Sequence, residues 1–221
     1  MTSENNALVL TGVVLLAQPI GEFDKRLVIL TRERGKITVF AHGARRQTSP
    51  FLAVSNPFVF GSFTVFEGRN AYTLASASAA AYFTELAGSQ PGVYYGFYFL
   101  ELAGYYGQEG IESEGMVNLI YVALRAILRK EIPLPLARRI YECRMMAENG
   151  DFALPEEEES IDGSALYALK FTVSCRIPET FSFSLSEKAE RDFAGVVEKN
   201  FKRCIDRKFK SLDVLEKISG M

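Results

Sequence analysis

Apolar positions alternate with a period of two over roughly the first eighty residues, then switch to a period near 3.6. Residues 8–16 form a nearly continuous aliphatic and β-branched run broken only at Gly12. A glycine in such a run marks a bulge or a tight barrel bend. Residues 27–30 and 36–41 read as two further strands around an Arg34-Gly35 turn. Residues 58–66 and 71–74 flank Glu67-Gly68-Arg69-Asn70, a hairpin turn. In the third strand Ile37, Val39 and Ala41 point one way, while Lys36, Thr38, Phe40 and His42 point the other. Short strands with glycine-marked bends at this spacing predict a small closed barrel of the OB type.

Residues 93–106 are apolar and aromatic nearly all round, as a buried helix requires. Met116, Leu119, Ile120, Ala123, Leu124 and Ile127 trace one helical face. Pro133 and Pro135 precede another helix at 136–147, which Asn149-Gly150 ends. Helices are also predicted at 166–173 and 186–208, the latter capped by Ser186. The predicted fold is α+β and multidomain, with an N-terminal five-stranded OB-fold β-barrel followed by an α-helical domain. The boundaries are 1–80 for the barrel and 81–221 for the helices, with an acidic loop at 151–162 that holds Glu156, Glu157, Glu158 and Glu159.

Composition changes this picture little. The chain has 221 residues, 48% hydrophobic and 24% charged, the profile of an ordinary globular protein. The first residues show neither the charged nor the apolar region of a signal peptide, and no run approaches the roughly 18 apolar residues of a membrane span. A cytoplasmic location is expected. The three cysteines, Cys143, Cys175 and Cys204, are widely spaced with no C-x-x-C. Neither a disulfide framework nor a structural zinc site is encoded.

Charge changes it a great deal. Lys25, Arg26, Arg32, Arg34, Lys36, Arg45 and Arg46 oppose only Asp24 and Glu33, on a chain whose net charge is −2. Such an island points to a polyanion, with phosphate contact on a barrel face as the functional reading and plain solubility as the alternative. A second cluster is predicted on one face of the last long helix: Lys199, Arg203, Arg207 and Lys210, with Lys202 beside it. Phe40, between Lys36 and His42 on the outward face, is the candidate for base stacking; the other phenylalanines are needed to fill the barrel. His42 is the only histidine. With no phosphate-binding glycine loop and no metal-ligand spacing, nothing supports catalysis, and no metal or cofactor is expected.

The residues Gly12-Val13-Val14-Leu15, Glu22-Phe23-Asp24-Lys25, Leu30 to Lys36, Ala41 to Arg46, Phe181 to Ser184 and Phe209 to Leu212 together resemble the RecO family of DNA repair proteins. The resemblance implies an OB-fold barrel with a helical domain and no catalytic centre. It implies binding of single- and double-stranded DNA, annealing of complementary strands, and help in loading recombinase onto strands covered by single-stranded DNA-binding protein. RecR and the acidic, apolar-ended tail of that binding protein are the implied partners. Many relatives hold a four-cysteine zinc site where this chain has residues 149–175; only Cys175 is there, so zinc is absent or replaced by packing.

Two competing readings come from other classes. In one, the chain is a protein-interaction adaptor whose helix at 93–106 and neighbours receive an acidic tail, with Arg125, Arg129 and Lys130 pairing its carboxylates. In the other, it is an RNA-binding OB module with the same electrostatics.

Overall fold

The computed structural model describes residues 7–130, 132–155 and 161–219. Five strands come first: β1 (Ala7–Ile20), β2 (Asp24–Thr31), β3 (Gly35–Ala41), β4 (Phe60–Glu67) and β5 (Tyr72–Ala81). They close into a barrel in the order β1-β2-β3-β5-β4, antiparallel except for the short β3–β5 pairing at Val39↔Tyr72 and Phe40↔Thr73. The one-turn helix α1 (Phe51–Val54) lies in the chain between β3 and β4. Strand order and helix position are those of an OB fold. Leu10, Val14, Leu27, Ile29, Val39 and Phe63 are among the side chains that fill the barrel.

Closure turns on Gly12. It pairs with Thr31 of β2 on one side and with Gly61 of β4 on the other. A Cβ at Gly12 would lie 2.2 Å from the Leu30 carbonyl oxygen, so β1 approaches β2 more closely than any other residue permits. The register then shifts between Val14 and Leu16. This bend lets one long strand belong to both halves of the barrel.

The helices are α2 (Gly92–Tyr106), α3 (Glu114–Arg129), α4 (Leu134–Glu148), α5 (Gly163–Ser174), α6 (Glu187–Cys204) and α7 (Lys210–Ser219). The chain divides into two compact units, one comprising residues 1–84 and 100–117, the other 85–99 and 118–221. In the first unit, the segment after α2 is laced to the β2–β3 turn. Lys36 N donates to Gln108 O at 3.1 Å, Gly110 N to Arg34 O at 3.0 Å, and Ser113 N to Arg32 O at 2.9 Å. In the second unit, α4, α5 and α6 pack on one another. Phe99 and Tyr141 stack at 4.0 Å, and Glu142 is fully buried.

One predicted element is corrected. The periodic pattern ran the last long helix to residue 208, but α6 stops at Cys204, and residues 205–209 are non-helical. Ile205 is extended (φ −116°, ψ 112°) and buried. Phe209 is also buried, its ring edge-on to Tyr98 at 5.8 Å. Residues 201, 205 and 209 sit at helical spacing, so the pattern was satisfied on paper. Burying two large side chains, at about 1.5–3 kcal/mol each, outweighs one more turn of helix. The predicted single face carrying Lys199, Arg203, Arg207 and Lys210 does not exist. Arg207 lies in the non-helical segment and Lys210 begins α7. Cys204 is half-buried, and residues 156–160, which hold the glutamate run, lie outside the described residues.

Candidate nucleic-acid interface

The basic island of residues 24–46 lies on one hairpin, and the hairpin separates it. The β2–β3 register runs from Lys25↔Ala41 to Thr31↔Gly35. Six residue steps of about 3.3 Å put its two ends roughly 20 Å apart. Arg32, Arg34 and Lys36 stand at the turn end; Lys25, Arg26, His42, Arg45 and Arg46 stand at the open end.

At the turn end the cations are partly committed to structure. Thr31 Oγ1 donates to Gly35 O at 2.9 Å and accepts from Arg34 N at 3.1 Å, tying off the turn. Gly35 has φ +62°, and a Cβ there would meet Gln108 O at 2.0 Å, so only glycine fits. Lys36 Nζ donates to Gly104 O at 2.7 Å. It therefore caps the end of α2, where carbonyls lack helical partners. Arg34 is exposed and Arg32 half-buried. Glu33 accepts both its hydrogen bonds from Thr11 N, at 2.9 and 3.1 Å.

The open end is organised around Asp24. Its carboxylate accepts Gly43 N at 2.8 Å and meets His42 Nδ1 at 2.8 Å. The Gly43 amide first, then His42, holds the Asp24 carboxyl below its ordinary range. Arg45 N donates to Phe23 O at 2.8 Å, and Arg45 Nη1 to Gly21 O at 3.1 Å. The basic loop is thus pinned onto the β1–β2 turn. The Arg46 guanidinium lies 4.9 Å from the centre of the Phe23 ring. Arg26 reaches Gln18 Oε1 at 3.3 Å. In register, Gln18, Arg26, Phe40 and Thr73 form one row across four strands on the outward face. Phe40 is half-buried in that row, and His42, Arg45 and Arg46 are exposed.

Lys25 points elsewhere. Its Nζ donates to Ser55 O at 3.2 Å, Ser55 Oγ at 3.1 Å and Asn56 Oδ1 at 2.9 Å, holding the end of α1 against the barrel. Burial, followed by the Arg45 charge, lowers its pKa.

The second cluster lies in the other unit. Lys199 and Arg203 line an open groove of about 440 Å³ with Leu154, Pro155, Val196 and Asn200. Asn200 clamps Ala153 by both backbone groups at 3.0 Å, and Arg203 donates to Asp151 O at 3.1 Å and Asn200 Oδ1 at 2.7 Å. Lys202 pairs with Glu198 at 2.6 Å. Arg207 and Lys210 are exposed outside α6. On α3, Tyr121, Arg125 and Arg129 are exposed at i, i+4 and i+8, and Lys130 follows with φ +57°.

A zinc ion does not fit the described residues. Cys175 Sγ lies 3.9 Å from Thr172 O and from Thr180 Oγ1. Among the described residues no three His, Cys, Asp or Glu side chains gather as a metal site would need. Burial raises the Cys143 thiol far above its ordinary pKa. No helix among the described residues is long and apolar enough to cross a membrane.

The residues the sequence pattern did not single out are Phe23 and Gln18. A solitary aromatic in Gly21-Glu22-Phe23-Asp24 was the available signal, since a turn offers no core for it.

Residues 7–83 match the family model described as recombination protein O N terminal. The chain is 34% identical to the DNA repair protein RecO of Alkaliphilus metalliredigens over 139 residues, which is 63% of this chain and 56% of that protein. It is 34% identical to the same-named protein of Desulforudis audaxviator, over 63% of this chain and 55% of the relative. The chain therefore spans little more than half the length of these relatives. Against the DNA repair protein RecO of Clostridium perfringens the identity is 24%, over 93% of this chain and 96% of that protein.

Proposed function

Because the chain belongs to the RecO family, we propose that it is a DNA repair and recombination protein acting from the open end of its barrel. It binds single- and double-stranded DNA there, anneals complementary strands, and helps load recombinase onto strands covered by single-stranded DNA-binding protein. RecR and that binding protein's tail are its partners in this reading, and the nucleoid is its place in the cell. The role is binding rather than bond-making.

The observation that supports it is the pinned basic loop. Arg45 and Arg46 are held by backbone and ring contacts to the β1–β2 turn, and Arg26 lies in the outward row at the same end of the hairpin. Pre-set cations neutralise phosphates and release counterions without an ordering cost, and lower repulsion between two strands brought together.

The hairpin's two ends make the salt dependence informative. If Arg26, Arg45 and Arg46 alone contact a single strand, log K against log salt has a slope of about −2. A slope of about −3.5 requires Arg32 and Arg34 as well, so the strand would follow the hairpin's length. Anisotropy titrations at several salt concentrations measure this, with the double variant Arg45→Glu, Arg46→Glu as control. A slope near zero, or unchanged affinity in that variant, refutes the proposal. Competition with RNA of the same sequence separates it from an RNA-binding module.

The adaptor reading is favoured by the α3 row. Tyr121 with Arg125 and Arg129 offers an aromatic beside two cations, fit for an acidic, apolar-ended peptide. Calorimetry with the tail peptide of single-stranded DNA-binding protein should show binding that weakens on Arg125→Glu plus Arg129→Glu. Binding unaffected by those changes removes this surface from consideration.

A further inference from the structure

Phe23 is 40% exposed at the β1–β2 turn, where Gly21 and Glu22 are exposed as well. Its position is nevertheless fixed. Its carbonyl accepts Arg45 N at 2.8 Å, the neighbouring Gly21 carbonyl accepts Arg45 Nη1 at 3.1 Å, and the adjacent Asp24 carboxylate holds Gly43 N at 2.8 Å. Arg46 lies over the ring, 4.9 Å from its centre. The result is an exposed ring and guanidinium presented together, amid cations, on a braced turn.

We propose that Phe23 and Arg46 form a stacking platform for a nucleobase of a bound single strand. This rests on the nucleic-acid reading above and adds a residue and a contact type to it. Flat bases stack on aromatic rings and on guanidinium planes alike, and every base has such a face, so the contact is sequence-tolerant. Phosphates on either side of the stacked base meet Arg45 and Arg26, which leaves the pairing edge of the base free. The annealing activity requires that edge. Turns joining the first two strands are a place where barrels of this type meet oligonucleotides.

The chain contains no tryptophan, so Phe23→Trp installs a unique reporter. Titrating full-length F23W with oligo(dT) should quench its emission saturably, at the concentrations where anisotropy of a labelled strand reports binding. Val9→Trp, at a residue 65% exposed on the first strand, serves as the unquenched control. Phe23→Ala should weaken single-strand binding by about five- to hundredfold with the salt slope unchanged, because no phosphate contact is lost. Phe23→Leu should weaken it as much, since leucine has bulk but no π face; rescue by leucine would show mere packing beneath Arg46. If anisotropy reports binding while F23W emission stays flat, the platform falls and the DNA reading stands. If the wild-type chain binds no strand at all, both fall.

Discussion

Asp24 shows how one residue sets the open end of the β2–β3 hairpin. It is the acceptor for Gly43 N and the partner of His42, and through them it fixes the loop that carries Arg45 and Arg46. The Gly43 hydrogen bond, then His42, depresses its folded pKa. A group whose folded pKa lies below its unfolded value of about 3.9 contributes fully above that value and loses the contribution as pH falls through the folded value. Protection of the Gly43 amide from exchange, corrected for intrinsic rates, should hold from neutral pH down to about 4 and then fall. Asp24→Asn should remove that pH dependence. Protection that falls instead between pH 7 and 5 would assign the latch to another group. Asp24 and His42 were visible as neighbours of the basic run, but their pairing across the hairpin was not. Eighteen residues of chain separate them, and only the β2–β3 register brings them together.

Among the elements, strands and helices were legible wherever side-chain period and local propensity agreed. The third strand is the clearest case. Its alternation predicted Ile37, Val39 and Ala41 inside, and all three are buried. Where two structures satisfy one pattern, the pattern fails, as at residues 201–209. The helix α4 holds a contact that no period foretells. Glu142 is buried and accepts Tyr98 Oη–H at 2.6 Å, Arg138 Nε at 2.7 Å and Arg139 Nη1 at 3.0 Å. Arg139 goes on to Glu198 of α6 at 3.1 Å. Burial, with the Glu142 carboxylate beside it, raises the Tyr98 phenol well above its ordinary pKa, so it remains the donor. Removing the central acceptor strands three donors in the interior. Glu142→Ala should cost about 3–5 kcal/mol in urea unfolding, with Glu142→Gln costing less. A loss under about 1 kcal/mol would mean that solvent reaches the cluster.

At the scale of the whole molecule, the sequence by itself determined the segregation of charge and the class of fold. Charge segregation survives any folding, and period-two followed by period-3.6 patterning admits few architectures besides a barrel and a set of helices. The sequence also determined that Gly12 and Gly35 would be special, since their neighbours are extended runs with no turn signal to explain the first and a tight reversal to explain the second. The tertiary structure alone decided which cations are available. Lys36 and Lys25 carry the same charge as Arg45, but one closes the end of α2 and the other holds α1. It also decided that the single island is two groups at opposite ends of a hairpin, and that Phe23 lies beneath the Arg46 guanidinium. The physical reason is range. Periodicity and net charge are sums over neighbours in sequence, whereas a lone pair accepts from whatever donor the fold brings within about 3 Å.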